Sequence, residues 1–208
     1  MPPLVRPLGL DDLSEVARVH AAAFRSSALT ALGPEAVRRY YEWLLTGPHR
    51  VVAVGAFHDD RLVGFCFGGR FAGAMSGFLV RNRAFLTWRM LSHPSLFLSG
   101  IVRSRLAAAR RALRTRATVA HARPPEQPTA PASFAILSIA VHPHHEGHHV
   151  GSTLMSAMEA VARKRGFESM HLSVHTENER ARRFYERQGW TSAPTGSTSD
   201  GLMRKRLT

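Results

Sequence analysis

The stretch from Phe134 to Met155, FAILSIAVHPHHEGHHVGSTLM, constrains the fold of this chain more than any other. Phe134 to Val141 is an uncharged apolar run rich in β-branched residues, the composition of a strand buried on both faces. Pro143 stops it. Past a polar, His-rich loop, Val150, Leu154, Met158 and Val161 recur at helical spacing up to Arg165, and Gly166 closes the helix. In a strand, loop, helix order, the loop's N–H groups and the first unsatisfied N–H groups of the helix point at one spot. The helix dipole adds partial positive charge there. This predicts a phosphate site.

A second stretch follows in register with the first. Glu168 to Val174 (ESMHLSV) alternates as a strand, and Asn178 to Trp190 reads NERARRFYERQGW. Ala181, Phe184 and Tyr185 stand at i, i+3 and i+4 on one helix face, while Arg180, Arg182, Arg183 and Arg187 fill most of the rest. Together the two stretches resemble the GNAT superfamily of N-acetyltransferases. In that family a strand ending V-x-P leads to (Arg/Gln)-x-x-Gly-x-(Gly/Ala), and a later helix reads N-x-x-A-x-x-(F/L)-Y-x-x-x-G-(F/W). Val141, His142 and Pro143 match the strand end, and Gly147, Gly151 and Leu154 fall at familiar places. Asn178, Ala181, Phe184, Tyr185, Gly189 and Trp190 are all in register. Two positions depart: Glu146 stands where the family has Arg or Gln, and His149 where it has the first Gly. The resemblance covers the last third of the chain in detail and the remainder in element order.

The resemblance implies an α/β (α+β) fold with a mixed, mainly antiparallel central sheet flanked by helices. It implies direct, acetyl-CoA-dependent acetylation of an amine, with no metal. Carried over by position, Ile139 and Val141 at the strand end would bind the cofactor. So would Glu146, Gly147, His148, His149, Val150, Gly151 and Ser152 in the loop and helix start, together with Asn178. His148 and His149 add positive charge when protonated. Tyr185 would protonate the departing thiolate; as a plain reading of the helix it is a core aromatic. The base is open. Ala132 to Val141 carries no acidic residue, and His20, Glu42 and His142 are candidates that also read as structural or surface groups.

Two other classes compete. The first is a non-catalytic binding module of the same fold, in which Glu146 and His149 mark a lost cofactor site and a basic segment binds an anionic surface or nucleic acid. The second is a zinc hydrolase, because His145, Glu146 and His149 spell H-E-x-x-H. That chemistry needs both His on one helix, whereas Pro143 precedes the motif, Gly147 lies within it and a strand leads in. His142, His144 and His148 point to adventitious rather than catalytic metal binding.

The rest of the chain frames this site. At 208 residues, 44% of them hydrophobic, it suits one domain with an elaboration. Cys66 is the single cysteine, in an apolar run, and reads as an inert buried thiol. With no signal pattern at the N-terminus and no apolar run near the ~18 residues of a membrane span, a reducing cytoplasm is the expected compartment.

In chain order, Leu4 to Arg6 forms a short strand, and Asp11 and Asp12 cap a helix carrying Leu13, Val16, Ala17 and Phe24. Gly33 and Pro34 open a second helix through Leu45, with Val37, Tyr40, Tyr41 and Leu44 as its stripe. Val51 to Phe57 and Leu62 to Gly69 form a hairpin through His58, Asp59, Asp60 and Arg61. Trp190 to Ala193 and Leu202 to Leu207 are closing strands.

Of the net charge of +13, nearly all belongs to one region, since Arg61 to Pro125 holds twelve Arg and no Asp or Glu. A local anionic partner is implied. Within it, about 70–131 is an insertion. Phe78, Leu79, Leu86 and Met90 predict one helix. Leu98, Ile101, Val102, Leu106, Ala109 and Leu113 predict a second, with Arg103, Arg110 and Arg114 on its polar side and a Pro-rich linker behind. The insertion reads as a lid over an anionic acceptor, a membrane-surface contact, or helices that merely cover the sheet. The acceptor expected is a small-molecule amine; an amino sugar or nucleotide sugar fits the Arg-rich segment.

Overall fold

The computed structural model describes residues 3–71, 73–92, 133–193 and 200–207. Among these residues seven strands form one sheet in the order β1-β2-β3-β4-β5-β7-β6. They are β1 (Leu4–Pro7), β2 (Arg50–His58), β3 (Arg61–Arg70), β4 (Phe134–Val141), β5 (Ser169–His175), β6 (Thr191–Ala193) and β7 (Asp200–Arg206). Every neighbouring pair is antiparallel except β4 and β5. The β2–β3 hairpin forms because Asp59 and Asp60 both take positive φ (47° and 58°), as a two-residue loop matched to strand twist requires.

Alternation along β3, interrupted by a register shift with β2 at Val63, builds two cores. Leu62, Phe65 and Phe67 face α1 (Leu13–Ala23), α3 (Pro34–Thr46), α4 (Ala74–Arg81) and α5 (Arg83–Ser92), through residues such as Val16, Tyr41, Leu44, Phe78 and Leu86. Val63 and Cys66 face the other way, into a core shared with α6 (Val150–Lys164) and α7 (Glu179–Arg187). Cys66 is fully buried, and desolvation pushes its thiol well above the ordinary range. A short α2 (Ala28–Ala31), capped by Ser27, joins α1 to α3.

Several sequence expectations change. Asp12 does not cap α1 with its side chain; its carboxylate accepts from Gly9 N–H at 2.9 Å and from Arg6 at 2.7 Å, closing a 3-10 turn instead. The first helix of the basic segment is two helices, broken at Asn82, whose Nδ2 donates to Phe78 O at 3.1 Å. Asn competes with the helix backbone in this way, and the apolar spacing alone did not reveal it. Phe78 and Leu86 are buried as expected, but Leu79 is about half exposed. The predicted helix from Leu98 to Leu113 and the Pro-rich linker lie outside the described residues. No helix among the described residues is long and apolar enough to cross a membrane.

β4 departs from the expectation of burial on both faces, and the departure positions the site. It pairs with β5 only from Phe134↔Met170 to Ile136↔Leu172, after which the strands part. At the same level the register with β3 slips, Phe67 facing Ser138 while Gly68 faces Ile136, so Leu137 is a bulged residue. Leu137 is 38% exposed. A strand that loses its neighbour opens a cleft, and here the cleft runs toward the loop that begins at His142.

Candidate functional site

The cleft has a volume of about 740 Å³ and lies between the end of β4, the loop 142–149, the first turn of α6 and one face of α7. Of the residues selected from sequence, Ile139, Val141, Glu146, Gly147, His149, Val150, Gly151, Ser152, Asn178 and Tyr185 line it. His148 does not; it is exposed outside the cleft.

The loop owes its path to backbone conformation. Pro143–His145 is a single 3-10 turn, after which Gly147 and His149 take positive φ of 81° and 59°. Glycine reaches that region freely; for His149 the left-handed conformation costs about 1–2 kcal/mol. His149 thus takes, without being glycine, a backbone region that glycine reaches freely, at the position where the sequence resemblance expects a glycine. Its carbonyl accepts from Thr153 N–H and Thr153 Oγ, both at 3.0 Å, and so starts α6. The helix begins at Val150, one residue past His149. His145 and His149 consequently share no helix face, and the H-E-x-x-H spacing does not form the two-ligand arrangement that zinc chemistry needs.

α7 closes the other wall. Asn178 caps it, its Oδ1 accepting from Ala181 N–H at 3.1 Å, and the cap does not use the side-chain amide's two donors; the residue also lines the cleft. The Phe184 ring packs on Gly151, where an added Cβ would approach it to 3.2 Å. Gln188 Nε2 donates to Ser152 Oγ at 2.7 Å and ties the two helices. Tyr185 is buried beside Phe184 and Trp190, and burial raises its hydroxyl above the usual range. Its hydroxyl keeps its proton throughout the neutral pH range.

Sequence reasoning missed Arg180, Phe184, Arg187 and Gln188 as cleft residues. The most telling is Arg180, which donates to Glu146 Oε2 at 2.6 Å across the cleft. The signal was present: a carboxylate in a predicted phosphate loop calls for a cation nearby.

The candidate bases are dispersed. Glu42 sits on α3, paired with Arg38 at 3.1 Å. His142 lies at the end of β4 with Nδ1 accepting from His144 N–H, and burial with neighbouring cations lowers its pKa. His20 is buried in a polar chain whose direction can be worked out. Thr30 Oγ1 donates to Phe24 O, so it accepts from Ser27 Oγ. Ser27 then accepts from His20 Nε2 at 3.3 Å, and His20 Nδ1 accepts from Tyr41 OH at 2.9 Å. Tyr41 OH in turn accepts from Ser138 Oγ at 3.0 Å, one residue past the β4 bulge. Desolvation lowers the His20 pKa to about 4. His20 is thus a neutral linker in this chain.

The model of the Acetyltransferase (GNAT) family matches residues 15–190. The chain belongs to the GNAT acetyltransferase family. Solved GNAT structures share the fold. The PaiA N-acetyltransferase of Thermoplasma acidophilum in complex with coenzyme A is similar at 16% identity, with 99% of each chain covered and a TM-score of 0.60. An acetyltransferase from Thermus thermophilus is similar at 16% identity over 100% of each chain (TM-score 0.59). The ribosomal-protein-S18-alanine N-acetyltransferase of Escherichia coli is similar at 13% identity over 99% of this chain and 94% of its own (TM-score 0.56). A search of curated proteins finds no match. As a GNAT enzyme the chain uses acetyl-CoA. The cleft fits it: an apolar wall at Ile139 and Val141, a 15-residue helix presenting its N-terminus, and Arg180 and Arg187 at the rim.

Proposed function

We propose that this GNAT enzyme acetylates the amine of a small molecule by direct transfer, with the cleft between β4 and α7 holding the coenzyme. The single observation that carries the reading is the parting of β4 and β5 after Ile136 and Leu172, which leads into a cleft bounded by a helix N-terminus and by Tyr185. Acetyl-CoA supplies an activated acetyl thioester. The N–H groups from Gly147 to Ser152 would hold its phosphates, Ile139 and Val141 its arm, and the Asn178 amide donors a carbonyl along it. As the amine nitrogen forms its bond to the acetyl carbon and the carbon–sulfur bond breaks, Tyr185 would deliver its proton to the leaving sulfur. It would recover one from the acetylated nitrogen, directly or through water, so that amine and acetyl-CoA give amide and free thiol. Burial raises the proton affinity of a thiolate in the same place, which matches acid to leaving group.

The acceptor would approach from the α1–α3 face. α4 and α5 pack there, with Trp43 Nε1 donating to Ala74 O at 2.9 Å and Arg89 Nε to Leu32 O at 3.1 Å. This supports reading the described part of the insertion, residues 73–92, as bordering the acceptor, with Arg residues such as Arg81 and Arg83 suited to an anionic amine such as an amino sugar or nucleotide sugar. Screening amines for thiol release from acetyl-CoA tests the function. Release above the buffer rate with one amine class is expected. Tight calorimetric binding of acetyl-CoA with no amine turned over would favour a non-catalytic binding module instead.

A further inference from the structure

The departure at Glu146 has a counterpart in three dimensions. Among the described residues Glu146 is the only carboxylate lining the cleft, and it lies between Gly147 and the 3-10 turn, in the loop that leads into the N-terminus of α6. A carboxylate there repels phosphate. Its partner is Arg180 in the first turn of α7, 34 residues later in sequence and on the opposite wall, at 2.6 Å. The guanidinium is 77% exposed and the carboxylate 39%, so water can replace either partner and the pair exchanges readily. Arg187, two turns along the same helix, also lines the cleft.

Resting on the reading that this cleft holds coenzyme A, we propose that Glu146 and Arg180 form a latch across its mouth which the coenzyme's phosphates must displace. Arg180 is the side-chain cation of the phosphate site, moved from the loop to the facing helix, and Glu146 is its built-in competitor. The exchange follows from charge and geometry. A phosphate offers the guanidinium more negative charge than a carboxylate does, and a bidentate contact of similar shape. On binding, Arg180 leaves Glu146 for phosphate, and Glu146, released, turns to solvent. Coenzyme affinity is thereby held below what the same cleft would give without the carboxylate.

Equilibrium binding of coenzyme A and of pantetheine, which lacks the phosphates, tests this on the full chain. Glu146→Gln should tighten coenzyme A by about three- to tenfold, because it removes the competitor and the repulsion together. Arg180→Gln should weaken it by about tenfold or more, since an unpaired carboxylate then faces the phosphates. The double variant should recover part of that loss. Pantetheine affinity should be the same in all four proteins. Unchanged or weaker coenzyme A binding by Glu146→Gln, where Gly151→Asp weakens it, overturns the latch alone. Coenzyme A binding that Gly151→Asp leaves intact overturns the site reading and the latch with it.

Discussion

Tyr185 and Gly151 carry different parts of the site, and their substitutions separate. Tyr185→Phe keeps the ring between Phe184 and Trp190 and removes the hydroxyl alone. Turnover should fall by about two to four orders of magnitude, while acetyl-CoA affinity changes little. Wild-type turnover in that variant would remove Tyr185 from the chemistry. Gly151 needs a two-step test, because its missing Cβ makes room for the Phe184 ring and the residue also lines the cleft. Gly151→Ala asks the ring to shift by a few tenths of an ångström, whereas Gly151→Asp adds charge at the helix N-terminus. Affinity should fall modestly in the first and much further in the second; equal affinities would mean that only packing is at stake.

At the scale of elements, α7 is the wall that sequence patterning defined best and explained least. Its N-cap Asn178 should serve two purposes. Asn178→Ala loses the bond to Ala181 N–H and should cost about 1 kcal/mol of unfolding free energy. Asn178→Asp keeps an N-cap oxygen, so stability should hold while coenzyme affinity drops, the amide donors having been exchanged for a carboxylate. Urea titration and calorimetry on the pair read both terms. The order β4, loop, α6, β5, α7 was legible because each boundary carries local punctuation: Pro143, Gly166, Asn178 and Gly189. The break at Asn82 and the left-handed His149 were not, since Asn and His tolerate several conformations and no neighbour in sequence forces the choice. The parting of β4 from β5, the bulge at Leu137 and the Arg180–Glu146 contact depend on residues far apart in the chain. Patterning along one segment cannot report them.

At the scale of the whole molecule, two apolar cores share one sheet, and the core under α1 and α3 contains the hydrogen-bonded chain from Ser138 to Thr30. A buried chain of this kind ties folding to pH. His20 is 6% exposed, and desolvation lowers its pKa to about 4, against about 6.5 in an unfolded chain. Between those values the unfolded state binds a proton that the folded state refuses. The stability contribution is therefore fully present above about pH 6.5 and is lost as pH falls toward 4. His171, half-buried beside Arg204, and His49, His142 and His145 are shifted in the same direction and add to the slope. The carboxylates paired with Arg act lower: Asp12, Glu15 and Glu35 have depressed values, Glu35 about 2, so their contributions fade only as pH falls through the carboxylate range. Unfolding free energy should then drop by about 2 kcal/mol from His20 alone between pH 7 and pH 5. His20→Gln should be less stable at pH 7, because Tyr41 and Ser27 lose well-placed partners, yet show a clearly shallower decline to pH 5. Denaturant titrations of both proteins at the two pH values measure this. Parallel declines would mean that His20 takes up its proton in the folded state at an ordinary pH.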